Sequence, residues 1–159
     1  MQEEFERLVE QLAERLSKRQ AMVCCAESCT GGWIAKVMTD RAGSSGWFDR
    51  GFVTYSNQAK QEMLDVPAQV LEEHGAVSRE TVLAMARGAL ANSAAQFSVA
   101  VSGIAGPGGG SEDKPVGTVW VAWAGEGFAE ALCERFSGDR DAVRAATVQA
   151  ALRGLLERV

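Results

Sequence analysis

The sequence predicts an α/β fold: a three-layer α/β/α sandwich around a mixed, mostly parallel sheet of about five strands. Short apolar runs of strand length alternate along the chain with segments of helical spacing. One late pair of strands is separated only by Gly125-Glu126-Gly127, the spacing of an antiparallel hairpin. Of 159 residues, 47% are apolar, enough to bury a core without disulfides or metal. The chain is read as one domain over residues 1–159, with no internal repeat, low-complexity tract or linker.

Each element follows from local pattern. Residues 3–19 place Phe5, Leu8, Val9, Leu12, Ala13 and Leu16 on one helical face. Residues 21–26 form a near-continuous apolar run that suits a strand covered on both faces. Two glycines follow, and Trp33, Ile34, Val37 and Met38 then resume helical spacing. Residues 51–56 read as the second strand, followed by a helix over residues 57–64 and another opened by Pro67. Ser78 is the expected N-cap of a helix that carries Val82, Met85, Ala86, Ala89 and Leu90 and ends near Ser93. Residues 97–101 are the third strand, and they run into a stretch, 103–110, too rich in glycine for regular structure. After the hairpin, Asp139 caps a final helix bearing Ala142, Val143, Ala146, Val148 and Leu152.

Composition excludes several classes. The longest apolar run, 116–124, is diluted by Gly117 and Thr118 and is far shorter than the roughly 20 residues of a membrane span. The first twenty residues alternate charge with Leu and Val, unlike a secretory signal, so a cytoplasmic protein is expected. Cys24, Cys25, Cys29 and Cys133 lack paired metal-ligand spacing and read as reduced thiols; neither metal nor cofactor is expected. A net charge of −5 gives no footprint for nucleic acid or an anionic membrane. An acidic envelope around a local basic pocket suits a small phosphorylated substrate.

In open α/β sheets ligands bind beyond the carboxyl ends of the strands, so the turns that follow the strands carry the candidates. In Glu27-Ser-Cys-Thr-Gly-Gly32 the glycines allow close backbone approach, and the helix starting there offers free N–H groups to a phosphate or carboxylate. That Ser28 or Thr30 only caps the helix stands equally on pattern. Gly43-Ser44-Ser45-Gly46, with Tyr55 and Lys60 downstream, can form a hydrolytic set, because a desolvated lysine loses its proton readily and can draw one from a serine. The bland alternative is a Gly-Ser turn and a solvated lysine. The sole histidine, His74, sits in Glu-Glu-His-Gly, a helix end, so a Ser-His-Asp triad is not expected. Ser102, the loop from Gly103 through Gly106 to Gly110, and Lys114 can wrap a phosphate or ribose, or form a flexible connection. Arg140 and Arg144, four apart on one helix face, suit a phosphate or an ion pair with Asp141 or Glu134.

Together, Ala26-Glu-Ser-Cys-Thr-Gly-Gly32, Gly43-Ser-Ser45, Val53-Thr-Tyr-Ser-Asn57 with Lys60, Gly75-Ala-Val-Ser78, Ser102-Gly-Ile-Ala-Gly-Pro-Gly-Gly109, Lys114-Pro-Val-Gly-Thr118 and Gly138-Asp-Arg140 resemble the CinA C-terminal domain family from about residue 5 to 155. The resemblance implies nicotinamide-nucleotide amidohydrolase activity, a three-layer α/β/α domain, and a homodimer or higher homo-oligomer. The family's nucleophile falls on Ser45, with Lys60 as base and Tyr55 assisting. Ser28, Ser102 and Arg144 fall on or near substrate-binding positions. Ser102 stands where threonine is usual and keeps the hydroxyl without the stiffening methyl. Arg50 stands where glycine is more common. The large N-terminal domain of some members has no counterpart, so a stand-alone form is expected.

The implied reaction converts nicotinamide mononucleotide to nicotinic acid mononucleotide and ammonia. In it Ser45 attacks the carboxamide, Lys60 takes and returns the proton, and amides of residues 43–46 hold the oxyanion at about 3 kcal/mol per donor. Phosphate is expected among Thr30, Gly31, Gly32, the glycine loop and Arg140 or Arg144, with Glu27 on ribose hydroxyls. Cys29 is a rival nucleophile, since a helix N-terminus lowers a thiol's pKa. A non-catalytic nucleotide-binding sensor is the rival from another class.

Overall fold

The structure is a computed structural model that describes all 159 residues. Its single sheet has five strands in the order β2-β1-β3-β4-β5. These are β1 (Val23–Glu27), β2 (Phe48–Val53), β3 (Phe97–Gly103), β4 (Thr118–Gly125) and β5 (Phe128–Arg135). β2 and β3 flank β1 in parallel, while β4 is antiparallel to both β3 and β5. Four strands therefore run one way and β4 the other: the mixed, mostly parallel sheet that the sequence predicts.

Helices cover both faces, and the strands' side chains say why. Val23, Cys25, Val99, Val101, Val119, Val121 and Trp123 alternate onto one face, where they meet α1 (Gln2–Arg19), α2 (Trp33–Thr39) and α6 (Arg140–Arg158) in the larger core. Cys24, Ala26, Ala100, Ala122 and Ala124 alternate onto the other. Their small size lets α5 (Arg79–Ala91) lie close to the sheet, with α3 (Asn57–Leu64) and α4 (Ala68–His74) beside it. No helix is long and apolar enough to cross a membrane.

Capping largely follows the sequence. Ser56, Ser78 and Asp139 accept the amides of Ala59, Thr81 and Ala142 at 3.0, 3.1 and 2.9 Å. The second strand is the main departure: it begins three residues before the expected position 51, and Thr54 to Ser56 lie beyond its end. Arg50 therefore lies in β2, held by Asp49 and by the carbonyl of Asn92.

Gly88 marks the tightest helix contact. A Cβ there would stand 1.9 Å from the carbonyl oxygen of Leu64, so α3 rests directly on α5. That contact seats the helix carrying Lys60. Gly88→Ala is expected to lower the free energy of unfolding by about 1–3 kcal/mol, the usual cost of overpacking. Urea denaturation measures it, and an unchanged midpoint would show that α3 is free to shift.

Candidate active site

Parallel register brings three turns to one end of the sheet. Glu27 pairs with both Val53 and Val101, so Ser28 and Thr54 leave aligned carboxyl ends beside Ser102, the next-to-last residue of β3. There a cavity of about 290 Å³ is lined by Ser28, Cys29, Tyr55, Lys60, Ala76, Val77, Ser102, the glycine loop from Gly103 to Gly109, and Arg140. Its two charged lining groups are both basic. Larger hollows, such as one of about 660 Å³ beside Phe97 and Phe128, hold no nucleophile with a base.

Lys60 is buried, with 1% of its surface exposed. Its Nζ lies 3.0 Å from Ser28 Oγ, 2.9 Å from Thr54 O and 3.1 Å from Tyr55 O. Burial lowers its pKa from the ordinary 10.5 to about 8. In the neutral amine the two N–H groups serve the two carbonyls, and the lone pair is left for the Ser28 hydroxyl. Ser28 and Lys60 thus have the geometry of a nucleophile–base pair.

Ser45 is not part of it. It is exposed and sits in the 3₁₀ turn Ser44–Gly46, before β2 begins, whereas Tyr55 and Lys60 come after β2 ends. Six strand residues at about 3.3 Å each put roughly 20 Å between those ends. Within one chain, then, Ser45 cannot reach Lys60, nor can the amides of residues 43–46 reach an oxyanion beside it. The missed signal was simple: a strand between Ser45 and Tyr55 places them at opposite ends of the sheet.

Tyr55 also differs from expectation. Its carbonyl, not its hydroxyl, meets Lys60, and the ring is exposed at the mouth. The hydroxyl accepts from Arg140 Nη2 at 3.3 Å, while Nη1 donates to Gly106 O at 2.8 Å. Arg140 therefore links the two rims. Arg144 bonds inward, to Cys29 O at 3.0 Å and Thr30 O at 3.1 Å, with its guanidinium over the Trp33 ring. Neither arginine pairs with Asp141 or Glu134.

The start of α2 is closed to a ligand. Fully buried Glu27 accepts the amides of Gly32, Ile34 and Ala35 and the hydroxyl of Thr30, so it cannot also hold a ribose. With the Gly32 amide taken by Glu27 and the Gly31 amide by Ser28 O, only the Thr30 amide is left for the phosphate expected among Thr30, Gly31 and Gly32. Beyond a contact of the Cys29 amide with its own thiol, the amides of Cys29 and Thr30 bond no group of the chain, and neither do those of Ala105, Gly106, Gly108 and Gly109. Cys29 is buried, and burial pushes its thiol up to about 11, the opposite of the shift a reactive thiol needs. No cluster of metal-ligating side chains is present.

The profile of the CinA C-terminal domain matches residues 5–159. Nicotinamide-nucleotide amidohydrolase PncC of Escherichia coli K12 is 56% identical over 158 residues, covering 98% of this chain and 94% of that protein. PncC of Pseudomonas putida is 56% identical over 150 residues, 94% of each chain. Among solved structures, the competence/damage inducible protein CihA from Agrobacterium tumefaciens superposes with a TM-score of 0.95 at 48% identity, over 97% of this chain and 94% of its own.

The lowered pKa of Lys60 carries a stability signature. The unfolded chain binds this proton more tightly, so folding is penalised below 10.5, and the penalty lifts as pH rises from about 8 to 10.5. The wild type should therefore gain stability relative to Lys60→Met over that interval. Paired urea titrations across it test this; a difference independent of pH would contradict it.

Proposed function

We propose that this chain, which belongs to the CinA C-terminal domain family, hydrolyses the carboxamide of nicotinamide mononucleotide to nicotinic acid mononucleotide and ammonia, with Ser28 as nucleophile and Lys60 as its base. The observation that carries the assignment is the 3.0 Å contact of Lys60 Nζ with Ser28 Oγ inside the cavity. The identity to amidohydrolases named PncC supports the substrate.

Neutral Lys60 takes the proton of Ser28 as Oγ bonds to the carboxamide carbon. The amides of Cys29 and Thr30, the two residues after the nucleophile, receive the oxyanion, each donor worth about 3 kcal/mol. Protonated Lys60 then gives its proton to the amide nitrogen, the C–N bond breaks and ammonia leaves the acyl-enzyme. Water attacks next, its proton passes to Lys60, and Ser28 recovers a proton as the carboxylate product departs. At a pKa of about 8, roughly a tenth of Lys60 is neutral at pH 7, against about one part in three thousand for an unshifted amine.

The phosphate is assigned to Arg140 and the unbonded amides of the glycine loop, a nest of N–H groups beside the one cation at the mouth. Ser102, buried on the floor, and Gly103 bound the base end. The reading places the protein in the cytoplasm, supported by its four free cysteines.

Incubation with nicotinamide mononucleotide, without added metal, should release ammonia and nicotinic acid mononucleotide in equal amounts. Binding without product would make the chain a nucleotide sensor instead. Ser28→Ala should be inert, Ser45→Ala should keep its rate, and kcat/KM should rise with pH through about 8 as Lys60 loses its proton. An active Ser28→Ala variant would end the assignment.

A further inference from the structure

Glu27 ends β1 immediately before Ser28 and has no exposed surface, yet the reaction above makes no use of it. A buried carboxylate is strongly disfavoured unless its oxygens are filled. Here five donors fill them. Oε1 receives the Thr30 hydroxyl at 2.6 Å and the amides of Gly32 and Ile34 at 3.2 and 2.9 Å; Oε2 receives the amide of Ala35 at 3.0 Å and the Cys25 thiol at 3.6 Å. The chain from Ser28 to Gly32 is thereby bent around the carboxylate, with Gly31 and Gly32 at φ of 59° and 105°, values that favour glycine. Arg144 holds the same turn by its carbonyls, at Cys29 and Thr30. The amides left over are those of Cys29 and Thr30, beside the serine.

We propose that Glu27 is a positioning residue for amide hydrolysis: its buried carboxylate fixes the turn of residues 28–32, keeping Ser28 Oγ against Lys60 and the amides of Cys29 and Thr30 beside it. It has no exposed surface with which to touch a substrate, so it acts only through the turn. The inference rests on the reading of Ser28 and Lys60 as nucleophile and base.

Glu27→Gln preserves the volume but turns one acceptor oxygen into a donor that faces an amide or a hydroxyl. With nicotinamide mononucleotide as substrate, kcat should fall about 10²-fold, the effect of a misplacement near 1 Å. KM and the pH midpoint of the rate should stay at the wild-type values, because Arg140, the glycine loop and Lys60 are untouched. Thr30→Val, which removes one of the five donors, should lose a smaller part of kcat, and Thr30→Ser should restore it. Full kcat in a folded Glu27→Gln variant overturns the inference. So does a raised KM with kcat unmoved in either Glu27→Gln or Thr30→Val, which would make Glu27 part of substrate binding. If Glu27→Gln does not fold, the Thr30 pair decides, and wild-type kcat in Thr30→Val overturns the proposal. An active Ser28→Ala variant would instead remove the underlying reading, whatever the Glu27 variant does.

Discussion

A buried amine with no carboxylate partner is the constraint on which the site depends. Lys60 is enclosed by the fold, and the only groups that compensate its desolvation are two consecutive carbonyls and a serine hydroxyl. Such a group weakens folding wherever it is charged in the unfolded chain. Its presence makes sense through the chemistry it permits: an amine largely stripped of water gives up its proton near neutral pH and can act as a base without a histidine.

Everything around Lys60 serves that geometry. Thr54, itself buried, is tied by its amide to Glu27 O at 2.8 Å, which fixes the first of the two carbonyls against the sheet. Ser56 caps α3 and sets the turn on which Lys60 emerges, and the contact between Leu64 and Gly88 presses that helix onto α5. Charge is divided in the same spirit. The chain carries −5 overall, yet the cavity is lined by two basic side chains and no acid, so an anionic substrate meets local attraction there.

The layers, the hairpin and most helix limits were legible because they rest on local periodicity and caps. β1 is buried along its length and reads as a continuous apolar run; Ser78 and Asp139 cap where their side chains suggest. Lys60 and the turn after β1 were also legible, since both bear chemistry at strand ends. Which serine meets the lysine was not. That depends on strand register across two parallel neighbours, and β2 begins at Phe48, earlier than the run from Gly51 to Ser56 suggests. The role of Glu27 was hidden for a related reason. A glutamate before a serine and two glycines looks free to meet a ligand, and only the path of α2 reveals that its oxygens are already bound.

The proposed mechanism passes the acyl group of the carboxamide to Ser28, with loss of ammonia, before water receives it. Acid quenching during turnover of nicotinamide mononucleotide, followed by digestion and fragment sequencing by mass spectrometry, locates the acyl group directly. The account requires it as an ester on Ser28, resolved from the adjacent Cys29. An acyl group on Cys29 or on Ser45 would contradict it.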